Sequence, residues 1–363
     1  MTNLFDYLTW RGDLTMDQVP LCPVDALILS ALSYVHFEEL IPQGGGASIS
    51  IGQAAQAYLD APAAKRGRCR CEDDLKLLRA LMEAPRFSAL PLSHYEDQFI
   101  PEEETQFGAL AISLPDGSAF LAFRGTDATL VGWKEDFNMS FMDTVPAQRA
   151  AADYAQRFAA SFSGPLRLGG HSKGGNLSIF AAASLPAALR DRILAVYSFD
   201  GPGFTSYLLT QPGYQELLTR IFTFVPQSSV VGMLLERKEP YTVVRSARVG
   251  IFQHDPYAWE VLGGGFVEVE EVTPGSRLTD RAVTTWLSEL TPEQRAQVVD
   301  TVYGLLTSGD ANLLEETFQP QNLAAIFRAL KDTPGKDLLA VTDSLSRLVR
   351  SAAQAIRQDP PSL

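Results

Sequence analysis

Apolar and polar positions follow three successive patterns along the chain. Residues 1–85 carry apolar side chains mainly at helical spacing, whereas from about residue 92 short apolar runs alternate with amphipathic stretches. Helical spacing returns after residue 276. Strands that alternate with helices are typical of α/β proteins with a mainly parallel sheet. We therefore predict a helical segment over 1–85, an α/β core over 86–275 and a second helical segment over 276–363, together one compact unit.

Individual elements follow from the same pattern. Predicted strands are 107–114, 119–123, 166–168, 192–199, 220–225, 241–244 and 265–272. Predicted helices are 23–40, 49–59, 73–82, 148–162, 176–184, 214–218, 277–306 and 313–357, with a frayed end at 359–363. The Pro-Asp-Gly run at 115–117 favours a hairpin turn between the first two strands.

Ser172 lies at the centre of a G-x-S-x-G motif between a predicted strand and a predicted helix. This context is that of a nucleophile elbow, in which a strained turn raises the serine hydroxyl above the sheet. Gly170 and Gly174 allow the strand and the helix to approach closely. The alternative is a glycine-rich turn with an exposed serine, which does not explain the spacing of the two glycines. Ser172 is therefore the predicted nucleophile.

His254 is the predicted base, because in hydrolases of this type the histidine follows the nucleophile and the acid in the chain. The other histidines are less suitable. His171 adjoins Ser172, His36 lies in an N-terminal helical pattern, and His94 precedes the whole predicted sheet.

Asp200 is the predicted acid, since it ends a strand at the edge where open α/β sheets place functional residues. A turn-capping role is the alternative for Asp200. Asp255 is too close to His254 in sequence to orient its imidazole, and Glu236 and Glu239 are weaker candidates.

Two backbone N–H groups should hold the oxyanion of an acyl-transfer intermediate. The first is the N–H of Lys173, directly after the nucleophile, whose side chain we expect to face solvent. The second is the N–H of Thr126, in the loop after the strand 119–123, with its hydroxyl as support. The alternative for this loop is an ordinary strand-end turn.

Composition narrows the function further. The chain has 363 residues and a net charge of −13, which argues against nucleic-acid binding and against stable docking on anionic membranes. Three cysteines, Cys22, Cys69 and Cys71, form neither a disulfide framework nor a spaced zinc site. We also find no signal peptide and no spanning apolar run. The prediction is a cytoplasmic protein without metal or organic cofactor. The sequence does not determine its oligomeric state.

Three motifs together resemble the class 3 (fungal triacylglycerol) lipases. They are Phe-Arg-Gly-Thr at 123–126, Gly-His-Ser-Lys-Gly-Gly at 170–175 and Asp-Gly-Pro-Gly at 200–203. With Val-Pro-Gln-Ser-Ser at 225–229 and Gln-His-Asp-Pro at 253–256, the resemblance is closer to a bacterial branch of little-characterised α/β-hydrolases. It covers about residues 20–275. It implies an α/β-hydrolase fold, an oxyanion donor at Thr126 and a nucleophile at Ser172.

The acid departs from that resemblance. Class 3 lipases carry it after the next strand, where residues 226–230 contain no carboxylate. The segment 200–203 instead resembles the acid-bearing segment of animal pancreatic-type lipases, one strand earlier.

The predicted function is hydrolysis of small-molecule or lipid carboxylic esters through an acyl-enzyme on Ser172, with His254 as base and Asp200 as orienting acid. A thioesterase, amidase or acyltransferase of the same fold remains an alternative, as does a binding protein that has lost catalytic competence. Segments 128–133, 205–218 and 230–235, and the N-terminal helices, are candidates to cover the site, although such stretches are more often core.

Overall fold

The computed structural model describes residues 2–38, 40–41, 47–62, 69–127, 129–309 and 320–358. Its α-helices are α1 Leu4–Arg11, α2 Pro23–Leu32, α3 Ile51–Asp60, α4 Glu72–Glu83, α5 Pro85–Ser88, α6 Leu130–Asn138, α7 Pro146–Ser161, α8 Lys173–Ser184, α9 Ala187–Arg190, α10 Ser206–Leu209, α11 Pro212–Leu217, α12 Pro274–Ser288, α13 Pro292–Leu306, α14 Pro320–Asp332 and α15 Gly335–Gln358. Its strands are β1 Ile49–Ser50, β2 Pro91–Ile100, β3 Thr105–Ser113, β4 Ala119–Phe123, β5 Leu166–His171, β6 Ile193–Phe199, β7 Ile221–Pro226, β8 Tyr241–Val244, β9 Val261–Leu262, β10 Gly265–Phe266 and β11 Glu268–Val269.

The central sheet has nine strands in the order β1-β2-β3-β4-β5-β6-β7-β8-β11. Strands β4 to β8 are parallel, while β1, β2 and β3 at one edge and β11 at the other are antiparallel. The parallel block places the carboxyl ends of β4, β5, β6 and β7 next to one another. The fold is an α/β-hydrolase fold, as predicted, with the predicted elbow after β5 and the predicted oxyanion loop after the neighbouring β4.

Alternate side chains of each central strand enter different cores. On β4, Phe120 and Ala122 pack with the N-terminal helices, whereas Leu121 and Phe123 pack with α7 and α8. This is the two-residue period of a strand that is covered on both faces. Helix α2 is buried along its whole length after Pro23 and contacts β4, β5 and β6. The N-terminal helices thus cover one face of the sheet.

Two N-terminal elements differ from the prediction. Helix α2 ends at Leu32 and not at residue 40, because the backbone tightens at Ser33, whose N–H bonds to Ser30. Strand β2 was not predicted. Its sequence is largely polar, and its register slips between Ser93 and Glu96, where His94 takes a positive φ of 49°. This bulge removes the regular alternation by which a strand is recognised.

The C-terminal helices lie beside the carboxyl ends of the strands and contact the core through α6 and through Ser276 of α12, which donates to the carbonyl of Ser229. Helix α12 packs on α15, and α13 packs on α14, α15 and α6. Lys134 of α6 pairs with Asp300 of α13 at 2.8 Å and lies 4.7 Å from the ring centre of Tyr303. Among the described residues, no helix is long and apolar enough to cross a membrane. The predicted frayed end at 359–363 lies outside the described residues.

Candidate active site

Ser172 lies in a sharp turn between β5 and α8. Its backbone has φ 60° and ψ −133°, a conformation that non-glycine residues rarely adopt. Its N–H bonds to the carbonyl of Phe199 at 2.9 Å, and its carbonyl accepts the N–H of Gly175 at 2.9 Å. A Cβ atom on Gly170 would lie 2.2 Å from the backbone of Gly174, so the close strand–helix approach requires glycine. The geometry is that of a nucleophile elbow.

Asp200 and His254 form a direct pair. The Nδ1 of His254 lies 2.7 Å from Oδ2 of Asp200, which is fully buried at the end of β6. The other carboxylate oxygen accepts the hydroxyl of Ser229 and the N–H of Gly232. Asp200 therefore carries its own set of donors, and its carboxylate is free to orient the imidazole of His254 through Nδ1.

Ser229 and Gly232 were not predicted as site residues. Both lie after β7, and Ser229 lies within residues 226–230, where the class 3 resemblance places the acid. A Cβ atom on Gly232 would lie 2.1 Å from Oδ1 of Asp200, so this position requires glycine. The only sequence signal near these two residues was the lack of a carboxylate in 226–230. It indicates that the acid lies elsewhere in the chain, but it does not identify the groups that donate to that acid.

Thr126 and Lys173 line the same cavity as Ser172 and His254. Across the described residues, neither the Thr126 N–H nor the Lys173 N–H donates to a protein acceptor. The latter group is at the first position of α8, where a helix leaves its N–H groups unpaired and positively polarised. Both donors are thus free for an oxyanion. Among the residues that the structure describes, no hydrogen bond joins the Ser172 hydroxyl to His254. In many hydrolases this contact forms only once the substrate has bound.

The expectation that the Lys173 side chain faces solvent was wrong. The residue is 1% exposed, and its Nζ bonds to Glu135 at 2.9 Å and to the backbone and side chain of Gln106 at 2.9 and 2.8 Å. Glu135 is itself fully buried and also accepts the N–H of Ala147. The ion pair forms because α6 brings a carboxylate beneath the elbow, which the local sequence around residue 173 does not reveal.

Asp136 of α6 is a further polar residue of the cavity that the sequence did not single out. Its carboxylate accepts the hydroxyl of Thr126 at 2.6–2.7 Å. Burial raises the pKa of Asp136 to about 6, although the charge of Lys173 and the hydrogen bond from Thr126 act in the opposite direction. The Thr126 hydroxyl, predicted to support the oxyanion, is therefore committed to this carboxylate.

His171 supports His254 from behind. Its Nε2 lies 2.7 Å from the backbone carbonyl of His254, and its Nδ1 lies 2.8 Å from the hydroxyl of Tyr34. A carbonyl can only accept, so Nε2 carries the proton and Nδ1 accepts from Tyr34. Burial lowers the pKa of His171 well below its usual value, which keeps the ring neutral. His171 and Tyr34 thus fix the backbone of the histidine that pairs with Asp200.

The remaining candidate bases lie away from this cavity. His36 pairs with Asp97 at 2.7 Å, and His94 contacts Ser93 and packs edge-on against Phe158.

The remaining candidate acids also have other partners. Asp255 caps the turn at Tyr257 and pairs with Arg248, while Glu239 accepts the hydroxyl of Tyr214. Glu236 exchanges backbone hydrogen bonds with Phe204.

One group of described residues has metal-ligand types within reach of one another, namely His36, Glu38 and Asp97. Arg124 donates to both oxygens of Asp97, at 2.7 and 2.5 Å, and lies 3.2 Å from Nδ1 of His36. A cation in this position would face the guanidinium directly. The group is therefore best described as an ion-pair network in which His36 is buried and Glu38 is exposed.

A cavity of about 410 Å³ extends from Ser172 and His254. Among the candidate covering segments, 230–235 contributes Val231, Leu234 and Leu235, and 128–133 contributes Trp133. Segment 205–218 instead packs in the core through residues such as Tyr214, and Ala128 lies outside the described residues. No described residue of the N-terminal helices lines this cavity, so they do not cap it.

Comparison with known proteins finds one matching family and several solved lipase structures that are similar to this chain. The M37 lipase structure is 16% identical over 59% of this chain and 70% of its own, with a TM-score of 0.39. A Rhizomucor miehei lipase–propeptide complex is 14% identical over 43% and 57%, with a TM-score of 0.31. A Penicillium expansum triacylglycerol lipase is 10% identical over 43% and 70%, with a TM-score of 0.31. Each of these likenesses spans only part of both chains.

No curated protein matches the sequence. The family match runs over residues 81–304, which is more than half of the chain and includes Ser172, Asp200 and His254. The chain belongs to the Mbeg1-like family.

Proposed function

We propose that the protein is a serine hydrolase that cleaves carboxylic esters. The observation that carries the proposal is the buried Asp200–His254 pair, which lines one cavity with the strained Ser172 and two unused N–H donors. A turn-capping aspartate would not need a histidine partner, and a merely exposed serine would not need a positive φ. Strained residues of this kind cluster at functional sites.

In the proposed reaction, the Oγ of Ser172 attacks the ester carbonyl while Nε2 of His254 takes the hydroxyl proton. Asp200, bonded to Nδ1, stabilises the imidazolium that forms. The N–H groups of Thr126 and Lys173 hold the negative oxygen of the tetrahedral intermediate. The intermediate collapses to an acyl-enzyme, and the departing alkoxide takes the proton from His254. Water then attacks the acyl-enzyme, again with His254 as base, and releases the acid.

Thioester and amide hydrolysis and acyl transfer use the same residues and remain alternatives within this proposal. A binding protein without catalytic competence is the alternative outside it. The two classes differ in whether Ser172 reacts with an electrophile, which can be measured directly. The predicted cytoplasmic location stays a prediction.

The first experiment measures labelling by a fluorophosphonate and hydrolysis of p-nitrophenyl esters from acetate to palmitate. We expect Ser172→Ala to abolish labelling and turnover, and Asp200→Asn to lower kcat by about 10⁴-fold while the fold is kept. Ser288→Ala, which removes an exposed serine of α12, is the matched control and should behave as wild type. Folded wild-type protein that neither labels nor turns over any ester would favour the binding protein.

A further inference from the structure

The C-terminal helix α12 lies outside the sheet and its flanking helices, yet it forms one wall of the cavity at Ser172. Val283, Trp286 and Leu287 contribute to this wall. They are spaced i, i+3 and i+4, so they share one face of the helix. Through this face, α12 contributes directly to the candidate site.

The opposite wall comes from α6 and from the segment after β7. Trp133 and Phe137 are four residues apart on α6, and their rings lie 4.6 Å from each other. Leu234 and Leu235 add aliphatic surface beside them. Both walls thus carry aromatic and aliphatic side chains, and Asp136 of α6 is charged.

The polar groups of the cavity are concentrated around the nucleophile. Thr126, Asp136, Ser172 and His254 lie there, and among the described residues the side chains of Thr126, Asp136 and His254 have hydrogen-bond partners whereas the Ser172 hydroxyl has none. Apart from Asp136, the residues that α12 and α6 contribute to the cavity are aromatic or aliphatic. A ligand that reacts at Ser172 and extends between the helices therefore has a polar reacting end and an apolar body. A cavity of about 410 Å³ lies in the lower part of the range for sites that hold one small organic ligand.

We propose that α12 and α6 enclose the acyl chain of the substrate and that Trp286 sets which acyl chains are accepted. The substrate class is then an ester of an unbranched aliphatic acid, with the acyl chain lying against α12. This inference rests on the function proposed above and adds the specificity-determining residue. A sugar, peptide or charged acyl group would leave polar atoms unpaired against the two walls.

Trp286 is held in place from its far side. Its Nε1 donates to the hydroxyl of Ser344 on α15 at 3.1 Å, and Ser344 is buried. Arg295 of α13 donates to the carbonyls of Leu287 and Ser140, one on each side of the cavity. The indole therefore presents a fixed surface, as a residue that selects among substrates by shape must.

The test is the acyl-chain profile of kcat/KM for p-nitrophenyl esters. In wild type, kcat/KM should rise about fourfold per methylene from acetate until the cavity is filled, since each buried methylene is worth about 0.8 kcal/mol. Trp286→Ala should move the optimum to longer chains, because the indole no longer limits the cavity. Val283→Trp should lower kcat/KM for long acyl chains at least tenfold more than kcat/KM for acetate.

Phe327→Ala, which removes an exposed aromatic of α14, is the control and should keep the wild-type profile. Thermal unfolding of each variant checks that it folds. If Trp286→Ala does not fold, Val283→Trp still tests the wall, because it keeps Trp286 in place. Active wild type with unchanged profiles in both variants would overturn this inference and leave the proposed function standing. An equal loss for all chain lengths, acetate included, would overturn it as well. Absence of labelling and turnover in wild type would instead refute the proposed function.

Discussion

Backbone strain at single residues is concentrated at the candidate site. Ser172, Asp200 and Leu235 have positive φ values of 60°, 51° and 63°, and all three lie at or beside the cavity. Hydrogen bonds from the Ser172 and Asp200 N–H groups to neighbouring strands hold two of them in place. Such conformations cost about 1–3 kcal/mol each and persist only where the surroundings over-determine them. The strain positions the hydroxyl and the carboxylate in advance of any substrate.

Ser229 complements the position of Asp200 in the fold. The proposed acid, Asp200, comes from the end of β6, and Ser229, after β7, donates a hydrogen bond to it. A carboxylate at position 229 would place two like charges in one buried site, which is unfavourable. The serine therefore suits an acid that is located one strand earlier.

Asp136 gives the protein a pH-dependent stability. Folding raises its pKa from 3.8 to about 6, so between these values the folded chain binds a proton that the unfolded chain releases. The contribution of Asp136 to the free energy of unfolding therefore falls as the pH rises from about 4 to about 6. Asp136→Asn does not titrate, and we expect it to exceed wild type by about 1–2 kcal/mol at pH 7.5 and to lose this advantage near pH 4. Urea denaturation at both pH values measures the difference.

Asp153→Asn on α7, which removes an exposed carboxylate, is the control for this measurement. It should leave the pH dependence of wild type in place. If Asp136→Asn retained the full wild-type slope between pH 4 and 6, the assignment of that slope to Asp136 would be wrong.

At the scale of elements, helix α6 is joined to the elbow by the buried pair of Glu135 and Lys173. Removing one partner leaves the other charge uncompensated in the interior. We expect Lys173→Met to lower the free energy of unfolding by about 3–5 kcal/mol. The backbone N–H of residue 173 stays in place, so esterase activity should fall only as far as α6 shifts. Chemical denaturation, with kcat measured below the transition, checks both effects.

The double variant Lys173→Met/Glu135→Gln is the matched control. It removes both charges, and we expect it to recover part of the lost stability. A double variant as unstable as the sum of the two single variants would show that the pair is not coupled.

The elements that surround Ser172 were predictable because their sequence signals are local. The elbow glycines and the strand 119–123 lie in short motifs. Ser172, Asp200 and His254 each lie in a motif as well, and they follow one another along the chain in the hydrolase order. Strand β2 was missed because its bulge breaks the alternation, and the length of α2 was overestimated because apolar residues continue beyond Leu32. The burial of Lys173 depends on Glu135, which is distant in sequence and supplied by another helix.

The role of α12 was unpredictable for a related reason. Its apolar face follows an ordinary amphipathic period, and this period does not reveal whether the face meets a sheet, another helix or a cavity. Trp286 on this face contacts both the cavity and Ser344 of α15. Only the tertiary arrangement distinguishes such a residue from a core tryptophan.

At the scale of the whole molecule, the sheet is covered on two faces and the C-terminal helices close over the carboxyl ends of its strands. The N-terminal helices and the pair α7 and α8 pack into two separate cores. The C-terminal helices join the rest of the chain mainly through α6 and the cavity. They therefore have less buried contact with the sheet than the helices that cover its two faces. Local opening should begin in the C-terminal helices.

Arg295 is the residue through which this opening can be tested. It donates to the carbonyl of Leu287 on α12 and to the carbonyl of Ser140 just after α6, so it joins the two walls of the cavity. We expect Arg295→Met to increase amide exchange in α12 and around residues 139–140 by at least about tenfold, which corresponds to about 1.4 kcal/mol of local stability. Exchange in β4, β5 and β6 should stay as in wild type, because neither core loses a contact.

Hydrogen exchange followed by mass spectrometry measures this change, with Arg157→Met on α7 as the control. Arg157 pairs with Glu96 on the surface, away from the cavity, and its removal should leave α12 protected. Faster exchange in all strands of Arg295→Met would mean that the chain opens as one cooperative unit, and unchanged α12 would mean that Arg295 does not hold the walls together. Selective exchange in α12 would show that the wall of the proposed acyl pocket opens independently of the triad. That independence is what a site needs if it admits an apolar chain without disturbing the geometry of Ser172, His254 and Asp200.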